Sequence, residues 1–153
     1  MGDPEISAST EPDGTTEQPL LVDALAQTAF VITSVLNRIA AENDFSLTQL
    51  RLLGVLRGRR PQMSRLAAYL GLEKSTLSGL VERAERRGLV ARGRSSTDGR
   101  AVEVYLTPAG EAAARRVQDD VRAAVLPETA ALSAEERRTL RLLLERMLGP
   151  APL

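Results

Sequence analysis

Apolar positions fall into a helical rhythm over most of the chain and switch to strict alternation at one place only. Leu21, Leu25, Ala29, Ile32, Leu36 and Ile39 recur three or four residues apart, which predicts a long first helix ending near Glu42. Ser46, with Gln49 three residues on, has the form of a capping box. It opens a second helix carrying Leu50, Leu53 and Leu56, which Gly58 and Pro61 end. Ser64 is expected to cap a short third helix with Leu66, Ala67 and Leu70 inward, broken at Gly71. A fourth runs from about Lys74 to Arg87, with Leu77, Leu80, Val81 and Ala84 apolar and Gly88 just past its end.

The period then becomes two. Leu89, Val90 and Ala91 lead into Arg92-Gly93-Arg94, and Val102, Val104 and Leu106 alternate with Glu103 and Tyr105. Asp98-Gly99 between them is a hairpin-turn signal, so this stretch reads as a two-stranded ribbon. Thr107 as cap and Pro108 in the first turn start another helix, reaching about Val125. Ser133 and Glu136 form a second capping box before a last helix to Leu148, with a stripe of Leu140, Leu143, Leu144 and Met147. Residues 1–19, rich in Pro, Gly, Ser, Thr and acids, are expected to be a disordered tail.

Short helix, glycine turn, second helix and ribbon, in that order, make a winged helix-turn-helix: a mainly α fold with a small β-hairpin wing. The first helix has so continuous a stripe, flanked by Val22, Val31 and Val35, that one neighbour cannot cover it. A subunit interface and burial within its own domain both answer that need.

Composition narrows the chemistry. The 153 residues suffice for one domain with a real core, and 3% aromatics leave that core to Leu, Val, Ile and Ala. The chain has no Cys and no His. Thiolate nucleophiles, Ser-His-Asp triads and His- or Cys-ligated metals are therefore excluded, and no metal or other cofactor is expected. An enzyme working with acids alone, such as Glu82 or Asp98, is left, but no paired carboxylates stand in an apolar setting. No uninterrupted apolar run approaches the roughly 20 residues of a membrane span, and the acidic start is unlike a secretory signal. A cytoplasmic location is expected.

Net charge is zero, yet it is unevenly spread. Residues 51–100 carry twelve bases against four acids, whereas residues 1–50 carry eight acids and one base, Arg38. A basic block of this kind suggests a polyanionic partner, although a solvated Arg-rich face has the same composition. The second helix of a helix-turn-helix enters the DNA major groove, where each base pair shows a distinct donor and acceptor pattern. At its start, Lys74 supplies a cation, and Ser75, Thr76 and Ser78 are small enough to approach base edges or phosphates. Ser75 or Thr76 as a plain helix cap is the competing reading. Arg83 lacks an acid four residues away, unlike Arg86, which has Glu82. On the ribbon, Arg100 can enter a narrow minor groove, with Asp98 expected to brace its guanidinium and Arg94 beside it. Ser64, at the start of the preceding helix, completes the candidate set.

The stretch KSTLSGLVERAERRGLVARGRSSTDGRAVEVYLTPAGE resembles the multiple-antibiotic-resistance regulator (MarR) family. Shared are the S-T-x-S helix start, the basic-Gly-Leu-Val exit, the wing D-x-R and the L-T-x-x-G that opens the next helix. SLTQLRLLGVL resembles that family's second helix, and the likeness covers about residues 20–148. It implies a homodimer whose first and last two helices interlock (20–45 and 108–148), over a DNA-binding lobe (46–107). It also implies a repressor on a pseudo-palindromic operator, with Ser75, Thr76 and Ser78 facing the groove and Asp98 and Arg100 as the wing pair. Members commonly release DNA when a small aromatic or anionic ligand binds. Arg38 is a candidate for such a ligand's carboxylate, against the plainer reading of an ion pair with Glu42 or Asp44. A winged-helix module that contacts protein instead of DNA is the alternative function.

Overall fold

A computed structural model describes residues 14–150. The chain divides into two compact units, Met1–Ser34 and Val35–Leu153. The described part of the first is helical throughout, and from Glu17 to Ser34 every residue but the half-buried Ile32 is exposed. The element α1 spans Gly14–Glu42, so residues 14–19, expected in the tail, are helical turns. Once the apolar stripe has nucleated a helix, adding each polar residue upstream is cheap. The rest of the expected tail, residues 1–13, lies outside the described residues.

In the second unit follow α2 (Leu47–Leu56), α3 (Met63–Leu70), α4 (Lys74–Arg86), β1 (Val90–Arg94), β2 (Val102–Leu106), α5 (Pro108–Val125), a short 3-10 turn (Leu126–Thr129) and α6 (Ala134–Leu148). Both capping boxes form: Ser46 with Gln49 and Ser133 with Glu136 exchange side-chain and backbone hydrogen bonds. Thr107 caps α5 by accepting from the Gly110 N–H, with Pro108 in the first turn.

Three of these helices stop in the same manner. At the end of α3, the Leu72 N–H reaches the Ala67 carbonyl at 3.0 Å and Gly71 lies at φ 66°, a left-handed stop that glycine adopts without steric penalty. Gly88 does this after α4 (φ 69°), and Asp44 after α1 (φ 57°), where the Phe45 N–H meets the Ala40 carbonyl at 2.8 Å.

The core is one cluster of α1's last turns, α2, α3, α4, the sheet and α5. Leu52, Leu66, Leu77, Val81 and Val104 are inaccessible at its centre. The strands pair antiparallel from Val90 with Leu106 to Arg94 with Val102. Val90, Val104 and Leu106 occupy the inner face. Val102, expected to join them, is 42% exposed, because it lines an open cleft beside the starts of α3 and α4 and not the core. The α2–α3 link adds a third edge to the sheet, through a bridge between Gln62 and Glu103 and a bond from the Val104 N–H to the Pro61 carbonyl. That bridge also starts α3 early. Its cap is Gln62, and Ser64 is a first-turn residue instead of the cap.

The helix α6 contains no buried residue, and its expected stripe of Leu140, Leu143, Leu144 and Met147 is exposed. Leu20, Leu21, Val22 and Phe30 of α1 are exposed likewise. The segment Glu17–Glu42 is long and apolar enough to cross a membrane by length and composition alone, with an 18-residue stretch of mean hydropathy 1.6, although polar residues interrupt it throughout.

Candidate nucleic-acid interface

The start of α4 is held by Leu77, which is fully buried one turn in. The residue before the helix is Glu73, whose side chain makes no capping bond. The first backbone N–H groups of α4 therefore face outward without a side-chain acceptor, as do those at any uncapped helix start. Lys74, Ser75 and Thr76 are exposed. Neither hydroxyl caps the helix, so both remain available. Ser78, half-buried, uses its carbonyl to accept from Arg92 at 3.3 Å.

The arginines sort into two kinds. Arg92 is fixed on one side by Glu85 at 3.3 Å and on the other by that Ser78 carbonyl. Arg87 donates to the Asp44 carbonyl at 2.6 Å and stacks on Phe45 at 4.4 Å. Arg51 reaches the last carbonyls of α3, at Tyr69 and Leu70, where a cation suits the helix dipole. These three hold the lobe together. Arg83, Arg94 and Arg100, by contrast, are exposed and their guanidiniums form no ion pair among the described residues. Arg83 lies back along α4 against Gly79. The expected pairing of Glu82 with Arg86 does not form either.

The expected hairpin turn joins the two strands. The Ser95 N–H bonds to the Ala101 carbonyl at 2.9 Å, closing a five-residue loop. The buried Ser95 hydroxyl accepts from the N–H groups of Thr97 and Asp98. Asp98 accepts the backbone N–H of Arg100 at 3.1 Å, not its guanidinium. Its carboxylate thus fixes the turn and leaves the Arg100 side chain projecting free.

A cleft of about 380 Å³ gathers the separate pieces. Its walls come from the start of α3 (Gln62, Met63, Ser64), the start of α4 (Lys74, Leu77) and the ribbon (Arg92, Ala101, Val102). Ser64 and Lys74 thus meet in one groove with the wing. A second cleft of about 360 Å³, edged by Arg59, Arg60, Arg65, Thr97 and Glu103, lies between the α2–α3 link and the wing. Sequence reading passed over these arginines, although the Arg57-Gly58-Arg59-Arg60 run lay inside the basic block. Arg60 stacks on Tyr105 at 3.9 Å and faces Glu103 at 3.7 Å. Arg38 reaches Glu42 at 3.9 Å, the plainer of its two readings, with both side chains more than half exposed.

Free cations and hydroxyls on a helix start, beside a ribbon with projecting arginines, suit a phosphate backbone with a groove in it. Comparison with known proteins agrees. Residues 43–101 match the family model described as MarR family. The HTH-type transcriptional regulator PecS of Dickeya dadantii is 27% identical over 140 residues, covering 89% of this chain and 84% of PecS. A transcriptional regulatory protein for the hcr operon of Thauera aromatica is 34% identical over 84 residues; that match spans about half of each, 55% of this chain and 51% of the relative. Among solved structures, apo wild-type MarR from E. coli is 25% identical with a TM-score of 0.71, covering 84% of this chain and 96% of that one. A mutant of the same E. coli protein complexed with operator DNA gives 24% and 0.68, over 90% and 99%.

Proposed function

Given that the chain belongs to the MarR family, we propose that it is a sequence-specific, double-stranded DNA-binding regulator, a homodimeric repressor and not an enzyme. The observation that carries this reading is the uncapped, cation-bearing start of α4, which shares a groove with the start of α3 and the wing. Lys74 and the outward N–H groups meet phosphate. Ser75, Thr76 and Ser78 sit where a helix inserted in the major groove presents its first turn to base edges. Arg100 and Arg94 follow the duplex into the adjoining minor groove, and Arg83 meets the backbone beyond. Asp98 sets the direction of the tip by holding its backbone.

The uncovered apolar side chains of α1 and, separately, those of α6 support the homodimer, because exposed apolar faces of this kind mark interaction surfaces. Asp23 and Arg38 on α1 would each place a charge in hydrocarbon, which disfavours the same helix as a membrane span. A cytoplasmic location follows from that reading. Binding of a small anionic or aromatic effector relieves repression.

Selection from random duplexes by the purified protein tests the proposal. A gapped palindrome with half-sites about one helical turn apart is expected. Recovery of no consensus, with an affinity indifferent to salt, would overturn it in favour of a protein-binding module.

A further inference from the structure

Two arginines hold the ribbon, one on each face. Side chains alternate along a strand. Arg92 and its cross-strand partner Val104 therefore share one face, while Gly93 with Glu103, and Ala91 with Tyr105, share the other. On the first face Arg92 is tied to α4 through Glu85 and the Ser78 carbonyl. On the second lies Arg60, from the α2–α3 link. Its guanidinium stands 3.9 Å over the centre of the Tyr105 ring, and its Nε is 3.7 Å from a Glu103 carboxylate oxygen. Ring and acid thus occupy Arg60 from two sides, whereas Arg94 and Arg100 form no ion pair among the described residues.

Gly93 makes room for this stack. Tyr105 is its diagonal neighbour across the ribbon, at a spacing that an aromatic ring can bridge. A Cβ on Gly93 would sit 3.3 Å from Tyr105 Cε1 and 3.6 Å from an Arg60 guanidinium nitrogen. A glycine inside a strand often marks such a close approach. The backbone contacts of the same link run along one edge of the ribbon: the Val104 N–H donates to the Pro61 carbonyl at 3.0 Å, and Gln62 bridges to Glu103. An edge contact leaves rotation about that edge free, and a stack on the face opposes it. The chain from Glu103 to Arg100 spans at most roughly 10 Å. A tilt of about 10° at Glu103 would move the tip by about 2 Å over that length, more than a hydrogen bond tolerates.

We propose that Arg60 is a positioning residue for the wing. Stacked on Tyr105 above Gly93 and paired with Glu103, it sets the tilt at which Arg94 and Arg100 meet the duplex, without touching DNA itself. The planar guanidinium suits this task, because it lies flat on the ring while an edge nitrogen faces the carboxylate. The inference rests on the reading of the chain as a DNA-binding regulator, and it names a residue on which the reach of the wing depends.

Titration of the full-length protein against the duplex recovered by selection tests it. Arg60→Gln should weaken binding about fivefold for each wing engaged, roughly what losing such a stack can shift the population of the bound pose. Tyr105→Leu should match that loss, and Tyr105→Phe, which keeps the ring, should stay within about twofold of wild type. The decisive comparison is between backgrounds. In a protein already lacking both wing arginines, through Arg94→Ala and Arg100→Ala, Arg60→Gln should cost less than about twofold, whereas with Lys74→Ala it should keep its full effect. Equal losses in both backgrounds would overturn the inference and assign Arg60 to the phosphate backbone. Wild-type affinity for Arg60→Gln would overturn it as well. A protein that selects a duplex but shows no coupling between Arg60 and the wing arginines sinks this inference alone, whereas one that selects no duplex sinks the regulator reading and this inference with it.

Discussion

Replacing Gly110 by alanine should unfold much of what positions the wing, although the change adds a single methyl group. Gly110 lies in the first turn of α5 and is buried; its N–H donates to the Thr107 hydroxyl at 3.0 Å. A Cβ there would overlap the Leu89 carbonyl oxygen, sit 2.8 Å from the Leu89 carbonyl carbon and 3.3 Å from Leu106 Cδ2. The Leu89 carbonyl cannot simply turn away, because it accepts the Thr107 N–H at 3.0 Å. Relief therefore requires α5 to back off from the base of the ribbon. Overpacking of this kind costs about 1–3 kcal/mol. A weakened buried hydrogen bond adds roughly 1 kcal/mol, and the better helix propensity of alanine returns about 1 kcal/mol. The net loss is about 1–3 kcal/mol. Gly54→Ala is the control. The same chemical change on another helix, where the methyl meets nothing, should stabilise by about 1 kcal/mol. Urea unfolding followed by far-ultraviolet circular dichroism, at one fixed protomer concentration, measures both. A Gly110→Ala protein within about 0.5 kcal/mol of wild type, or two glycines shifting stability in the same direction, would refute the reasoning.

Arg100→Ala should cost about 1–3 kcal/mol of operator affinity, and Lys74→Ala should lower the salt slope of binding by about one; unchanged titrations of labelled operator for both would remove them from the interface. Thr107→Ala loses the cap on Gly110 and the hydroxyl's bond to the Gly88 carbonyl, so its urea midpoint should drop by the equivalent of about 1–2 kcal/mol, with Thr107→Ser close to wild type. Glu136 is held below its ordinary 4.5 by bonding with Ser133, first through the Ser133 backbone N–H and then through its hydroxyl. That contribution to α6 is complete above pH 4.5 and is lost as pH falls through the lowered folded value; carboxyl NMR should place the Glu136 midpoint below 4.5, and a midpoint at or above it would contradict the cap. Leu143→Glu puts a charge on the uncovered face of α6 and should convert a dimer to monomers at micromolar concentration by sedimentation, with a persistent dimer counting against that face as the interface.

Much of the fold was legible because its signals are local. Capping boxes, glycine stops and the change of period from 3.6 to 2 all act over a few residues, so Ser46, Ser133, Thr107 and Gly71 could be placed without neighbours. Ser64 was misplaced as a cap because the event that starts α3 is a bridge from Gln62 to Glu103, 41 positions away along the chain. The role of Asp98 was misread for a nearer reason. A carboxylate two residues from an arginine reads as a partner for its guanidinium, but the Ser95 hydroxyl and the Asp98 carboxylate capture backbone N–H groups of the loop instead.

By itself the sequence determined the order of the elements, the helix-turn-helix and its wing, and the absence of thiol and imidazole chemistry. Periodicity, caps and residue inventory are properties of short stretches. Only the tertiary structure decided which arginines of the basic block are free. Arg51, Arg87 and Arg92 find partners on other elements, at Leu70, Asp44 and Ser78, and no pattern in their own neighbourhood distinguishes them from Arg83, Arg94 or Arg100. The same holds for Gly54 and Gly110. Each is a glycine in a helix, and only what stands opposite the missing Cβ, empty space or the Leu89 carbonyl, tells one from the other.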